Sequence, residues 1–410
     1  MNTLTTTGQP TPPTPSDGPA SRRAAPAIAA LALGSFAIGT NEFVSMGLLP
    51  EITRGIGVDI PTGGHLISAY AVGVVIGAPV IAALGARLPR RRLALGLMVA
   101  FLLGNVLTAV APNYGMLLLA RLVAGLPHGA YFGVASLIAA SLVPAEVRGR
   151  AVSSVMLGLA VANVAGVPAA TWLGQHLGWR AAYWAVAVIA GLTVLSVLLL
   201  VPSSQASPGA GVRTELGALR RPQVLLTLLI GVVGFGGMFA MYSYIAPIVT
   251  DVAGASPAFV PVVLLAFGIG GVAGTALGGR LADWALFPSM AGAGVAMGAV
   301  LALMLLAAHS AASLVLAVLA VAAAGSVLVV CLQLRLMEVA GDAQMLGAAL
   351  NHSALNLANA LGAWLGGLVI AAGEGYTAPS LVGAGLSVLG LAALGASAVV
   401  GRRERPPAAP

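Results

Sequence analysis

The sequence predicts an all-α, polytopic membrane protein of about twelve transmembrane helices arranged as two pseudo-symmetric six-helix halves. Three observations carry that prediction. Of 410 residues, 59% are hydrophobic and only 8% charged, with a mean hydropathy of +0.99, whereas a water-soluble globule keeps about a quarter of its residues charged. Apolar runs of roughly 18 to 25 residues, the length a helix needs to cross a bilayer, recur along the whole chain between short charged or Pro/Gly-marked breaks. Finally, a shift of 197 residues carries Ala69 onto Ala266, Gly73 onto Gly270, Val75 onto Val272, Gly77 onto Gly274 and Leu84 onto Leu281, and also Gly34 onto Gly231, Gly39 onto Gly236, Pro50 onto Pro247 and Thr53 onto Thr250. A constant offset through two consecutive spans marks a duplicated six-span unit. Parallel halves joined by a polar linker are an architecture of transporters that bind substrate near mid-membrane.

Residues 1–25, rich in Thr and Pro, are expected to form a disordered cytoplasmic tail. The apolar run after Arg22 and Arg23 has full spanning length, unlike the short core of a signal peptide, so the first span is expected to be retained. Residues 26–202 make the first half, 203–221 a cytoplasmic linker, 222–400 the second half and 401–410 a cytoplasmic tail. All nineteen basic residues are arginine. They gather at Arg22 and Arg23, at Arg87 to Arg92, at Arg148 and Arg150, at Arg213 to Arg221 and at Arg402 to Arg405. Because retained loops collect basic residues, both termini are expected in the cytoplasm. A net charge of +7 spread over such loops fits anionic lipid headgroups and argues against nucleic acid. Cys331, the one cysteine, excludes a disulfide framework and a cysteine metal site.

With spans drawn, the other acids fall at or beyond span ends, and Glu42 alone lies well inside one. A charged carboxylate facing lipid there would cost at least about 2.5–3.5 kcal/mol, so Glu42 should face the bundle interior and have a partner. Arg121 is the expected partner, since the two sit at similar depth in the first and fourth spans. Arg121, Gly125 and His128 share a helical face, which places His128 two turns deeper. A carboxylate alternately desolvated and held beside an arginine can bind and release a proton; the alternative is a fixed ion pair joining the two spans.

Other polar residues admit two readings. His352, Asn356 and Asn359 form an i, i+4, i+7 stripe on the eleventh span, either a relay or substrate surface or the hydrogen-bonded glue common between membrane helices. In the seventh span Met238, Met241, Tyr242 and Tyr244 offer thioethers and aromatic faces to a partly apolar ligand, and Phe239 stands where the 197-residue shift places Glu42. Substrate contact is expected at Asn41, Met238, Tyr242 and Asn356. Gln333 and Arg335 are assigned no ligand. There is no Walker loop and no H-E-x-x-H, and the glycine runs inside spans read as close helix packing. No enzymatic activity, cofactor or metal is expected.

"GTNEFVSMGLLPEI", "GHLISAYAVGVVIGAP", "GLPHGAYFGVA", "GVPAATWLGQHLGWRAAYW" and "ALNHSALNLANALGAWLGG" resemble signature segments of the major facilitator superfamily, within it the twelve-span drug:proton antiporters, and specifically the arabinose-efflux-permease-like and chloramphenicol-resistance branch. The resemblance covers residues 27–400. It implies conformational motifs at the second-to-third loop, where Leu84, Gly85, Arg87, Arg90 and Arg91 match but Ala86 replaces the expected aspartate. The second copy keeps Gly279, Leu281 and Asp283. It also implies a fourth-span motif at Arg121 and Gly125, and a fifth-span antiporter motif, loosely kept as Gly158, Gly166 and Pro168, that seals against leakage. The function it implies is proton-driven export of small neutral or amphipathic compounds, chloramphenicol-like antibiotics first and sugars or nucleosides next, with Glu42, Arg121 and His128 handling the proton. A non-coupled facilitator or sensor is the other class. The expected partners are a small-molecule substrate, protons and the lipid bilayer, with the chain acting as a monomer in a bacterial inner membrane.

Overall fold

The computed structural model describes residues 19–85, 88–144, 147–203, 221–340 and 344–404. Eleven helices among them are long and apolar enough to cross a membrane. One of these, Val260–Ala307, has 48 residues, about twice the length a bilayer needs. Its backbone leaves helical geometry at Ala285 (φ −164°, ψ 97°), so it is two spans, and the described residues hold twelve.

The first half comprises Pro19–Gly47, Ile60–Gly85, Arg90–Val110, Tyr114–Ser141, a fifth span running from Arg148 to Leu177, and Trp179–Leu200. In the second half the seventh span starts at Pro222, the long helix supplies the eighth and ninth, and Ala311–Ala340, Gln344–Ala371 and Ala378–Glu404 complete the set. Strict alternation puts Arg90, Arg148, Pro222 and Glu404 at one end of the bundle and Asp59, Tyr114, Trp179 and Tyr376 at the other. These are called the Arg90 end and the Asp59 end.

Span boundaries follow local chemistry. Asp59 accepts the Thr62 backbone N–H at 2.9 Å and Asn113 accepts that of Met116 at 3.0 Å, each satisfying an orphan donor at a helix start. Gly178, at φ 88°, turns the chain between the fifth and sixth spans, a conformation that costs glycine nothing. Within the fifth span a π-turn at Ala162–Gly166 precedes Pro168. Proline has no N–H to donate and crowds the preceding turn, which loosens the helical ladder there.

The packing repeats with the sequence. A β-carbon on Gly73 or Gly77 would collide with the carbonyls of Leu122 and Leu126, and one on Gly270 or Gly274 with those of Leu319 and Ala323. Both pairs of partners are separated by the same 197 positions that separate the glycines. The second span therefore seats on the fourth as the eighth seats on the tenth, through backbones brought close by small residues.

Among the described residues the halves meet along several seams. In one, Ser68 of the second span donates to the Ala360 carbonyl of the eleventh at 3.1 Å. In another, Gly268 of the eighth span lies against the Asn163 carbonyl in the π-turn of the fifth, and Gln175 donates to the Pro257 carbonyl at 2.8 Å. A third joins Phe43 of the first span to Phe239 of the seventh, rings stacked with centroids 6.3 Å apart. Large side chains such as Leu103, Leu199 and Leu306 are exposed, as lipid-facing positions require. The polar linker between residues 204 and 220, Ala86 and Arg87 lie outside the described residues.

Candidate functional site

Glu42 is 7% exposed and Arg121 1%, both inside the bundle at the same depth. They do not form an ion pair. Among the described residues the ion pairs are Arg54–Glu51 and Arg335–Glu338, at the two ends of the bundle. The Arg121 guanidinium instead donates from Nη1 to Asn41 Oδ1 at 2.9 Å, so the expected partner of the arginine is replaced by the amide next to it in sequence. The reason is geometric: Asn41 and Glu42 are consecutive and stand about 100° apart around the helix, and only one of them can point straight at the fourth span. Arg121 remains within electrostatic reach of Glu42. Its planar face lies 4.4 Å from the Tyr70 ring centre and 5.6 Å from that of Tyr183, and its Nε and Nη2, like Asn41 Nδ2, have no hydrogen-bond partner. A buried cation held by two rings and a neutral amide keeps donors in hand for a further acceptor.

Deeper along the fourth span, His128 is buried with Nδ1 3.0 Å from the Tyr70 hydroxyl. Tyr70 thus touches both Arg121 and His128. Phe132, one turn on, packs against His128 with centroids 5.3 Å apart and stacks flat on His352 of the eleventh span at 5.7 Å and 5°. Gly125 is in close contact with the Tyr70 carbonyl, which is why a larger residue does not fit between the second and fourth spans.

Of the expected substrate residues, Tyr242 joins a four-ring cluster with Phe43, Phe239 and Phe267, its ring stacked 3.8 Å from Phe267. Met238 is buried with its sulfur beside Gly325, inside the second half. Asn356 spends its amide nitrogen on the His352 carbonyl of its own helix at 3.0 Å, and its Oδ1 has no partner. Both amide atoms of Asn359 are buried and unpartnered as well. Tyr244 donates to the Ala363 carbonyl at 2.6 Å and holds the seventh span to the eleventh. Between this cluster and the Asp59 end lies a hollow of about 520 Å³ lined by Glu51, Arg54, Asp59, Thr250, Asp251 and Tyr376, among others. There the Thr62 hydroxyl and N–H hold the Asp59 carboxyl below the usual range, while burial pushes that of Glu51 up.

The motif residues divide. Gly166 packs against Thr40 and Phe36 of the first span, and Pro168 follows the π-turn that faces the eighth span. Gly279 has open space around it, Asp283 is exposed and takes no ion-pair partner among the described residues, and Arg90 is half-buried. Arg335 bridges Glu338 at 2.7 Å and Gln223 at 3.2 Å, tying the seventh and tenth spans at the Arg90 end. Tyr70, Phe43, Phe132 and Phe267 escape the sequence reading, because an aromatic residue in an apolar span carries no periodic mark. Only the neighbourhood of Glu42 in the chain points to Phe43.

A family model described as Major Facilitator Superfamily matches residues 31–349. The chain is 43% identical over 367 residues to the inner membrane transport protein YdhP of Escherichia coli (strain K12), covering 90% of this chain and 94% of that one. It is 41% identical over 257 residues to a chloramphenicol resistance protein of Streptomyces lividans, covering 62% and 66%, and 34% identical over 385 residues to the putative transporter AraJ of Escherichia coli (strain K12), covering 93% and 96%. The crystal structure of the human organic anion transporter MFSD10 (TETRAN) superposes with a TM-score of 0.63 over 92% of this chain and all of that one, at 16% identity, which speaks to the fold alone.

Proposed function

The chain belongs to the major facilitator superfamily and is a multi-pass membrane transporter, and on that premise we propose that it is a proton-coupled exporter of small neutral or amphipathic compounds, working by alternating access from a bacterial inner membrane with both termini cytoplasmic. The observation that carries the reading is the carboxylate of Glu42, the one buried carboxylate among the described residues and without a hydrogen bond there, beside an arginine that a neutral amide holds. In the proton-bound state the guanidinium rests on Asn41. When substrate enters, Glu42 gives up its proton and the free donors of Arg121 take the carboxylate, a charge-assisted contact stronger than the amide bond it replaces. Rocking of the halves then exposes the pair to the opposite side, where a proton returns to Glu42 and the substrate leaves.

A chloramphenicol-type compound is the favoured cargo. The relative from Streptomyces lividans supports it, and so does the cluster of Phe43, Phe239, Tyr242 and Phe267, whose rings suit a flat aromatic body. Arg121 and Asn41 supply donors for its polar groups. The test uses acid-loaded inverted vesicles. Chloramphenicol, and in parallel a sugar and a nucleoside panel, is added outside; the matching compound discharges the pH gradient in the wild type and not in Glu42→Gln. Equal discharge by Glu42→Gln removes Glu42 from the role, and no discharge by any compound favours a facilitator without coupling.

A further inference from the structure

We propose that Phe132 is the seal of a proton path toward the Arg90 end, whose two stations are His128 on the first half and His352 on the second. The inference rests on the reading of Glu42 as the proton carrier. Arg121, His128 and Phe132 lie seven and eleven residues apart on one face of the fourth span, so each step moves farther from Glu42 toward the Arg90 end, by roughly 10 and 16 Å. Tyr70 links the first two, its ring on the guanidinium and its hydroxyl on His128 Nδ1. Then the polar chain stops. The Phe132 ring stands between the imidazoles, tilted on one and flat on the other.

The two imidazoles differ in access. His128 and Phe132 are buried, at 1% and 3% exposure, whereas His352 is only half-buried. On the helical face of His352, Asn356 and Asn359 hold buried amide atoms without partners, positions at which water entering the seam finds hydrogen bonds. His352 and Phe132 belong to different halves, so rocking that parts the fourth span from the eleventh must break their stack. The same motion that opens the cavity thus opens the proton path, while the closed state denies protons a leak. Among the described residues the charged and titratable groups around the column are Glu42 on the first span, Tyr70 on the second, Arg121 and Tyr131 on the fourth, the latter edge-on to Phe132 at 6.4 Å, Tyr183 on the sixth and His352 on the eleventh.

One proton moves: Glu42 loses it and stays a carboxylate until it is reloaded from the Asp59 end, while Tyr70 and both imidazoles return to their starting forms. Tyr70 passes its hydroxyl proton to His128 Nδ1 and takes, through water admitted beside it, the one that Glu42 releases, leaving a carboxylate and an imidazolium. With the stack parted, the imidazolium hands its proton through water to His352, and from there it reaches the aqueous side.

The first test needs no substrate. Purified wild type, Phe132→Ala, and Phe132→Ala combined with His128→Gln are reconstituted into liposomes containing a pH-sensitive dye, and a pH step is imposed with the membrane potential clamped. The wild type holds the gradient, Phe132→Ala dissipates it roughly tenfold faster, and the added His128→Gln restores tightness, since a relay lacking one station stops. A tight Phe132→Ala, or a leak indifferent to His128→Gln, overturns the proposal. Should Phe132→Ala not fold, His352→Phe keeps the flat stack and removes the ring nitrogens: coupled proton exchange then falls roughly tenfold with unchanged substrate affinity, and undiminished exchange overturns the path. Failure of Glu42→Gln to block coupled discharge, by contrast, strikes at the proposed function and leaves the Phe132 leak readable by itself.

Discussion

The 197-residue repeat invites a position-by-position comparison of the halves. Where the first has Asn41, Glu42, Tyr70, Arg121 and His128, the second has Met238, Phe239, Phe267, Val318 and Gly325. Their frames match down to which glycine touches which carbonyl. Their contents do not: one half hides a hydrogen-bonded cation and a carboxylate, the other thioethers, rings and a glycine whose missing side chain leaves Met238, Phe235 and Met297 in place. A shared backbone therefore carries two different sets of side chains, buried charge on one side of the seam and an apolar lining of thioethers and rings on the other.

Placing charge in the second half strikes that division hardest. Val318→Arg buries a guanidinium where the counterparts of Asn41 and Glu42 are Met238 and Phe239, and a loss of about 3–5 kcal/mol is expected from an uncompensated buried charge; thermal unfolding in detergent should show it as aggregation or a sharply lowered midpoint. Arg121→Leu, by contrast, removes the cation and leaves a folded protein whose substrate-driven discharge is abolished. Arg121→Lys does not recover it, since an ammonium cannot reproduce the planar stack on Tyr70 and the fork toward Asn41.

Changes to the shared frame should hurt both halves alike. Gly73→Ala and Gly270→Ala each force a β-carbon onto a backbone carbonyl, and each is expected to cost about 1–3 kcal/mol in overpacking. Unequal midpoints would show that the frames are less alike than their contacts indicate. Milder still, Phe239→Ala removes one ring from the four-ring cluster. Aromatic pairs are worth about 0.5–1.5 kcal/mol each, so binding of an aromatic substrate, followed by fluorescence or calorimetry, should weaken several-fold while the pH profile of exchange stays in place.

The smallest expected effect lies at the Asp59 end. The Asp59 carboxyl is held below the usual range chiefly by the Thr62 hydroxyl and then by the Thr62 N–H. A depressed folded-state value means that this contact adds stability above the ordinary carboxylate range and loses it as pH falls through the depressed value. Thr62→Val should move the Asp59 titration upward, as a carbon-detected NMR titration would read directly, with coupled transport at neutral pH unchanged.

Several of these positions can be read directly from the chain. Glu42 stands out as the one acid within an apolar run, and Arg121 as its cationic counterpart at matching depth, because charge in hydrocarbon is costly enough to be rare. The i, i+4, i+7 stripe of His352, Asn356 and Asn359 follows from helical period alone. What such spacing cannot convey is azimuth between helices. That Arg121 rests on Asn41 and not on Glu42, that Phe43 meets Phe239 across the seam, and that Phe132 stands between two histidines separated by 224 positions all depend on how one helix is rotated against another.

Hydropathy, arginine placement and the duplicated glycines were enough, by themselves, to determine a twelve-span bundle in two halves, since a bilayer permits few other ways to satisfy a backbone in so apolar a chain. The tertiary structure decided which buried polar groups touch and which are left waiting for a partner. Those contacts are set by packing between spans far apart in the chain, where small residues fix how close two helices lie and a turn of a few tens of degrees exchanges one neighbour for another.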